Sequence, residues 1–153
     1  MQKHFTGTAF TIYKDQVLLL FHKKLKSWLP PGGHIEENEL PHECAIRETK
    51  EETGIDIEII SDSSNFKPSK EAFEIPSSFI CLEEHIPKHE NKEEHKHIDL
   101  IFIAKPKGDF IFEKEFENSF GELVKWFSLD EINKIPNEEI FSNCRQICEK
   151  VLK

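Results

Sequence analysis

The chain is poor in several things whose absence narrows its function. No run is long and apolar enough to cross a membrane, since the longest, Val17 to Phe21, is far short of the roughly 20 residues a helical span needs. The N-terminus lacks the basic, apolar and small-residue order of a signal peptide, so a soluble, cytoplasmic protein without a membrane partner is expected. Cysteine is sparse: Cys44, Cys81, Cys144 and Cys148 form no CxxC pair, which argues against disulfides. Cys144 and Cys148 stand one helical turn apart and read as buried packing thiols. Basic residues are also in deficit, 20 Lys and Arg against 29 Asp and Glu, for a net charge of −9. That balance opposes a phosphate-backbone footprint, and no nucleic-acid polymer is expected as partner. Neither an internal repeat nor a low-complexity segment occurs.

What the chain does have is enough apolar material for one core. With 153 residues, 37% of them hydrophobic and thirteen of them Phe, residues 1–153 are expected to form a single domain. Phe5 to Tyr13 and Val17 to Lys23 are rich in β-branched and aromatic residues and predict a hairpin turning at Lys14 to Gln16. Further strands are predicted at Ile55 to Ile60, Ser77 to Ile86, Ile98 to Lys105, Phe110 to Phe112 and Leu123 to Phe127. The run Ile98 to Lys105 is nearly continuous in apolar residues and is expected to be central. Ser61 to Pro76 reads as a loop, broken by Pro68 and Pro76. Ser128 with Glu131 gives a capping-box pattern, and from Pro136 to Lys153 the spacing of Ile140, Cys144, Ile147, Cys148 and Val151 gives an amphipathic helix.

The density of acid in Gly32 to Ile55, GGHIEENELPHECAIRETKEETGI, is the feature to explain. At about 100° per residue, Glu51 and Glu52 lie roughly 60° and 40° to either side of Glu48, so three carboxylates share one helix face. Like charges at this spacing destabilise a helix, and Arg47 and Lys50 point away from the centre of the cluster. Small Cys44 and Ala45 one turn earlier leave room for a ligand. A hard divalent cation is the natural occupant, because Mg²⁺ takes oxygen ligands. A solvated acidic face is the bland alternative.

Gly33, Glu39, Arg47, Glu48, Glu51, Glu52, Gly54 and Ile55 fall at the spacing of the Nudix box, and Trp28, Pro31 and Gly32 resemble the family's lead-in. The chain is on these residues identified as resembling the Nudix, or MutT-like, hydrolases. The resemblance implies an α+β fold, an α/β/α sandwich with a mixed sheet between helices. It also implies Mg²⁺-dependent hydrolysis, with Mn²⁺ as a substitute, of a diphosphate bond in a small-molecule nucleoside diphosphate derivative. Two departures concern the scaffold rather than the acids. Thr49 replaces an aliphatic residue, so its hydroxyl needs a partner. Leu40 stands where Ser or Thr often caps the helix, leaving Asn38 or Glu39 as caps, with Pro41 suited to the first turn.

Carried over by position, the resemblance makes Glu51 and Glu52 metal ligands, with Gly32 through its carbonyl, and Glu48 a ligand or a water-orienting base. Arg47, in helical reach of Glu43 and Glu51, is expected to orient a carboxylate. A late loop supplies a further ligand or base in some members, and Glu117 and Glu122 are the candidates, Glu122 as a metal ligand. For substrate, the candidates are Gly33 by close backbone approach, Lys23 within the basic patch His22 to Lys26, and Trp28 by stacking, although an aromatic beside a Pro-rich turn more often packs.

Substrate identity is less sharply drawn. Tyr13 is the only tyrosine, so the downstream tyrosine of members that cleave dinucleoside polyphosphates is absent, as is the Pro-rich signature of NADH-cleaving members. Nucleoside triphosphates, modified ones included, are therefore favoured. Nucleotide sugars, and a non-catalytic nucleotide-binding module, are the alternatives, and a homodimer stays open. Residues 87–97 are charged and aperiodic, which predicts a mobile loop and motivates a lid. His85, His89, His95 and His97 could suggest zinc, but no cysteine accompanies them and the carboxylates already account for a metal.

Overall fold

A computed structural model of the chain describes residues 1–153. The strands are β1 (Lys3–Tyr13), β2 (Gln16–His22), β3 (Ser27–Leu29), β4 (Gly32–His34), β5 (Ile57–Ile60), β6 (Ile80–Ile86), β7 (His95–Pro106), β8 (Glu115–Glu117) and β9 (Leu123–Ser128). The helices are α1 (Pro41–Thr53), α2 (Leu129–Lys134) and α3 (Ser142–Val151), with a short 3₁₀ turn at Asn137–Glu139. The sheet runs β5-β7-β1-β2-β9-β8, with β3 against β2, β4 against β1 and β6 against β7. Only β1 and β7 pair in parallel, so the sheet is mixed.

Period-2 alternation decides what covers each face. Phe10, Val17, Leu19, Ile101 and Phe127 pack with Ile132, Ile140, Cys144, Ile147 and Cys148 from the chain around α2 and α3. Their neighbours in sequence face the other way: Ala9, Phe102 and Ala104 meet Ala45 of α1 and Ile57, while Leu18, Leu20, Val124 and Trp126 form a third cluster. Because β2 and β7 are covered on both faces, Val17 to Phe21 and Ile98 to Ala104 read as nearly unbroken apolar runs. This is the α/β/α sandwich expected. Lys14 and Asp15, with φ of 46° and 60°, close the first hairpin in the left-handed geometry that two-residue turns favour.

Helix α1 starts with Pro41 and ends at Gly54, whose φ of 78° is left-handed and whose N–H donates to the Lys50 carbonyl at 2.9 Å. Neither Asn38 nor Glu39 caps it. Leu40 occupies the cap and offers no side-chain acceptor, while its N–H donates to Glu43 Oε1 at 2.8 Å. Asn38 instead takes a left-handed turn conformation. Thr49 is fully buried and donates its hydroxyl to the Ala45 carbonyl at 2.7 Å, and Thr53 repeats the pattern on the Thr49 carbonyl at 2.7 Å. An unpaired buried hydroxyl would cost about 1–3 kcal/mol, so this back-bond is what makes threonine tolerable at an aliphatic position.

Four expectations are corrected. Residues 110–112 form no strand, and the partner of β9 on the side away from β2 is Glu115–Glu117. The last helix begins at Ser142, with Ile140 extended ahead of it. Trp28 to Gly33, expected as a loop from its prolines and glycines, falls instead in two short strands joined by Pro30 and Pro31. The stretch 87–97 is a turn only as far as residue 94, since His95 and His97 already belong to β7.

Candidate active site

The β1–β4 register explains how the sheet meets α1. Gly33 pairs with Gly7, and Pro31 and Ile35 bond to Ala9 and Phe5, so Gly32 and His34 fall at the non-hydrogen-bonded positions between them. Their N–H and C=O groups therefore point off the outer edge of β4. There Gly32 N–H donates to Glu52 Oε1 at 3.0 Å, and the His34 carbonyl accepts from Arg47 Nη2 at 3.2 Å. The Gly32 carbonyl is left on the same edge, unused by the pairing with β1.

Gly33 faces α1, and a Cβ there would lie 2.4 Å from Glu48 Oε1. Only glycine admits that carboxylate. Arg47 holds the rest of the array. Its Nε and Nη2 grip both oxygens of Glu39 at 2.7 and 3.0 Å, and its Nη1 reaches Glu48 at 2.9 Å and Glu51 at 3.3 Å. Glu43, in helical reach, is not a partner because it is spent on the Leu40 N–H. Arg47 thus ties three carboxylates, and the bond to it pulls Glu39 below its ordinary range.

Glu48 and Glu52 behave differently. Burial pushes Glu48 up, and pushes Glu52 up to about 8, where the Gly32 N–H opposes the shift while Glu48 and Glu122 add to it. Carboxylates crowded together and buried, so that their ionised forms are disfavoured, are the electrostatic signature of a place for a cation. The donors present, carboxylate oxygens and a free carbonyl, are those a hard divalent ion prefers. The residues therefore fit the ion.

Asn118 docks the late loop here, donating to the Glu52 carbonyl at 2.9 Å and to Glu122 Oε1 at 3.2 Å. Of the two late candidates, Glu122 is the one that acts on Glu52. Glu117 lies with Lys23 beside Gly121. Trp28 packs edge-on against Phe21 and Phe127, at ring distances of 5.3 and 4.8 Å, and its surroundings are those of a core residue.

A cavity of about 630 Å³ opens beside Gly32 and Gly33, on the α3 face of the sheet. Its polar wall went unread in the sequence. Asp99 is buried at the centre of β7 and accepts the hydroxyls of Thr6 and Thr8 at 2.8 and 2.7 Å. Glu84, two residues along β6 from Leu82, the strand partner of Asp99, is pushed up by burial and by Asp99. One acid inside the apolar run Ile98 to Lys105 was the available signal. His34, His95 and His97 line the same cavity, and at its rim the 87–94 turn contributes His89 and Lys92.

A mixed sheet between helices, with an Arg-held carboxylate array against a Gly-Gly edge, defines a Nudix-type hydrolase. The family model described as NUDIX domain matches residues 3–144, and the chain belongs to this family as a pyrophosphohydrolase. It is 30% identical over 134 residues to the "Probable DHNTP pyrophosphohydrolase" of Lactococcus lactis subsp. cremoris, an alignment covering 87% of this chain and 67% of that protein. A crystal structure of a Nudix family hydrolase from Clostridium perfringens is 31% identical with a TM-score of 0.78, covering 99% of this chain and 97% of the other. The MutT Nudix hydrolase of Burkholderia pseudomallei, 19% identical with a TM-score of 0.61 over 99% of each chain, shares the fold. The family generally uses a divalent metal and acts on small nucleotide derivatives. No helix is long and apolar enough to cross a membrane.

Proposed function

We propose that this protein hydrolyses a diphosphate bond within a nucleoside triphosphate or a related triphosphate, with Mg²⁺ bound. The observation that carries this is the convergence of Glu48, Glu52 and the free edge of Gly32, a residue that also lines the 630 Å³ cavity. Glu51, Glu52 and Gly32, with Glu122 from the late loop, would hold the ion. When bound, it neutralises phosphate charge and lowers the pKa of an attacking water. Glu48, raised by burial, is placed to accept a proton from that water or to serve as a further ligand. Arg47 positions Glu39, Glu48 and Glu51 and does not itself touch substrate. The cavity takes the group attached to the phosphates.

The test is a Mg²⁺-dependent screen of nucleoside triphosphates, their modified forms, nucleotide sugars and DHNTP, the last because of the Lactococcus protein's name. Release of pyrophosphate or phosphate is followed for wild type, Glu51→Gln and Glu52→Gln. A triphosphate should be turned over by wild type alone. Inertness of wild type across the panel refutes hydrolysis, and activity that survives both substitutions refutes the metal assignment. The turn at the cavity rim is a candidate lid: removing residues 88–94 should raise KM, and unchanged kinetics would dismiss it.

A further inference from the structure

The carboxylate array leaves a second group of ligand-type side chains unused. His4 on β1, His34 on β4 and His97 on β7 come from three neighbouring strands, and the register puts them on one face. His97 pairs directly with His4, and His34 pairs with Thr6, two residues along β1 from His4. One ring nitrogen from each lies within 4.8 Å of the others. His95, buried at the start of β7, places its Nε2 3.2 Å from His97 Nε2.

The polar groups of this corner are poorly partnered. His4 Nδ1 is buried with no hydrogen-bond partner. His95 Nδ1 bonds to the Glu93 carbonyl at 2.9 Å, which makes it the protonated nitrogen and leaves Nε2 as a lone pair facing His97. The rings of His4 and His34 meet edge-on at 4.7 Å, and those of His95 and His97 lie 4.9 Å apart. Packing alone gives no reason for four imidazoles here, since apolar side chains would pack as well without the unpaired His4 Nδ1.

We propose that His4, His34 and His97 form a second metal site, selective for a borderline transition ion such as Zn²⁺ and separate from the carboxylate site, with His95 as its fourth nitrogen. An ion central to three atoms within 4.8 Å of one another is at most about 2.8 Å from each. Small ring rotations close that to the 2.0–2.1 Å of a Zn–N bond. Imidazole favours Zn²⁺, Ni²⁺, Co²⁺ and Cu²⁺, whereas Mg²⁺ favours oxygen, so the two sites sort ions by ligand chemistry. Ligands on paired strands are held more rigidly than ligands on loops. Glu84, the register partner of His97, supplies a nearby carboxylate to offset the ion's charge. With His34 exposed and His97 at the cavity wall, the ion would face the cavity.

Of the four histidines grouped by sequence spacing, only His95 and His97 belong to this cluster. His85 pairs with Glu94 at 2.9 Å and His89 bonds to the Pro87 carbonyl at 3.0 Å, so neither belongs to the cluster.

The untagged full-length protein is titrated calorimetrically with Zn²⁺ in excess Mg²⁺, and with Co²⁺ while visible absorption is followed. One equivalent of Zn²⁺ should bind, and Co²⁺ should give the intense bands of a four-coordinate nitrogen site. His97→Ala and the exposed His34→Ala should each weaken Zn²⁺ by about 10- to 100-fold or more, while Glu51→Gln and Glu52→Gln should leave it unchanged. Circular dichroism establishes that each variant is folded. Absence of Zn²⁺ binding, binding that survives both histidine variants, or binding lost in Glu52→Gln would each overturn the proposal.

Discussion

The carboxylate corner and the imidazole corner share strand β4, yet they treat polar groups in opposite ways. At the carboxylate corner every acid has a partner: Arg47 grips Glu39 just ahead of α1 and Glu48 and Glu51 on it, Glu43 accepts the Leu40 N–H, and the Gly32 N–H meets Glu52. At the imidazole corner, four rings from three strands leave His4 Nδ1 without a partner. One corner is organised by a single cation on the same helix as its acids. The other is organised by sheet register alone. The difference teaches that a fold can hold ligand side chains in place either with internal counter-charge or with backbone geometry, and the two respond differently to substitution.

The sharpest way to break the comparison is Gly33→Ala. A Cβ at that position would sit 2.4 Å from Glu48 Oε1, so the carboxylate must leave its place. Misplacement on that scale costs about 10²-fold in kcat/KM, measured by steady-state kinetics with the substrate found in the screen. Zn²⁺ binding should survive, because Gly33 faces α1 and the histidines face the cavity. Next in size is Arg47→Lys. Lysine keeps the charge but cannot form the two-pronged contact with Glu39, so half-saturating Mg²⁺ should rise by about 10- to 100-fold.

These effects track what the sequence could reveal. The acids of α1 lie within two helical turns, so local spacing alone shows that they converge, and the box residues fall where that spacing puts them. Strands with alternating or unbroken apolar character were legible for the same reason. The imidazole corner was not, because His4, His34 and His97 meet only through the β4-β1-β7 register, which no short window contains. Phe110 to Phe112 read as a strand from their apolarity, but Phe110 and Phe112 pack against Tyr13 and Trp126 without joining a ladder. Glu115–Glu117 was hidden because an edge strand with one half-buried Phe between two outward acids looks like a charged loop.

Acid sensitivity of either corner must be judged against a carboxylate that belongs to neither. Glu131 caps α2 on Ser128 and faces Lys114 and Lys125. Burial alone would push it up, but Lys114 and the Ser128 bonds outweigh that and bring it from 4.5 down to about 2. Between those values the unfolded chain binds more protons than the folded one. The group's stabilisation is therefore complete above about pH 4.5 and is lost as pH falls toward 2. Because the side chain is a third exposed, solvent screening reduces the full linkage value to roughly 2 kcal/mol or less. Denaturant melts of Glu131→Gln should show that loss already at neutral pH and a flatter profile below pH 4.5.

The smallest effect bears most directly on the difference between the corners. If the unpartnered nitrogen of His4 is retained for ligand binding, the metal-free protein should gain from its removal. His4→Leu keeps the apolar bulk and deletes the buried Nδ1, and the relief is expected to be about 1 kcal/mol, read as a higher denaturation midpoint without metal. Adding Zn²⁺ should raise the midpoint of wild type and not that of the variant, since an ion that binds only the folded state stabilises by mass action. A variant less stable than wild type in the absence of metal would show that His4 serves packing, and would place the imidazole corner with the scaffold rather than with the carboxylates.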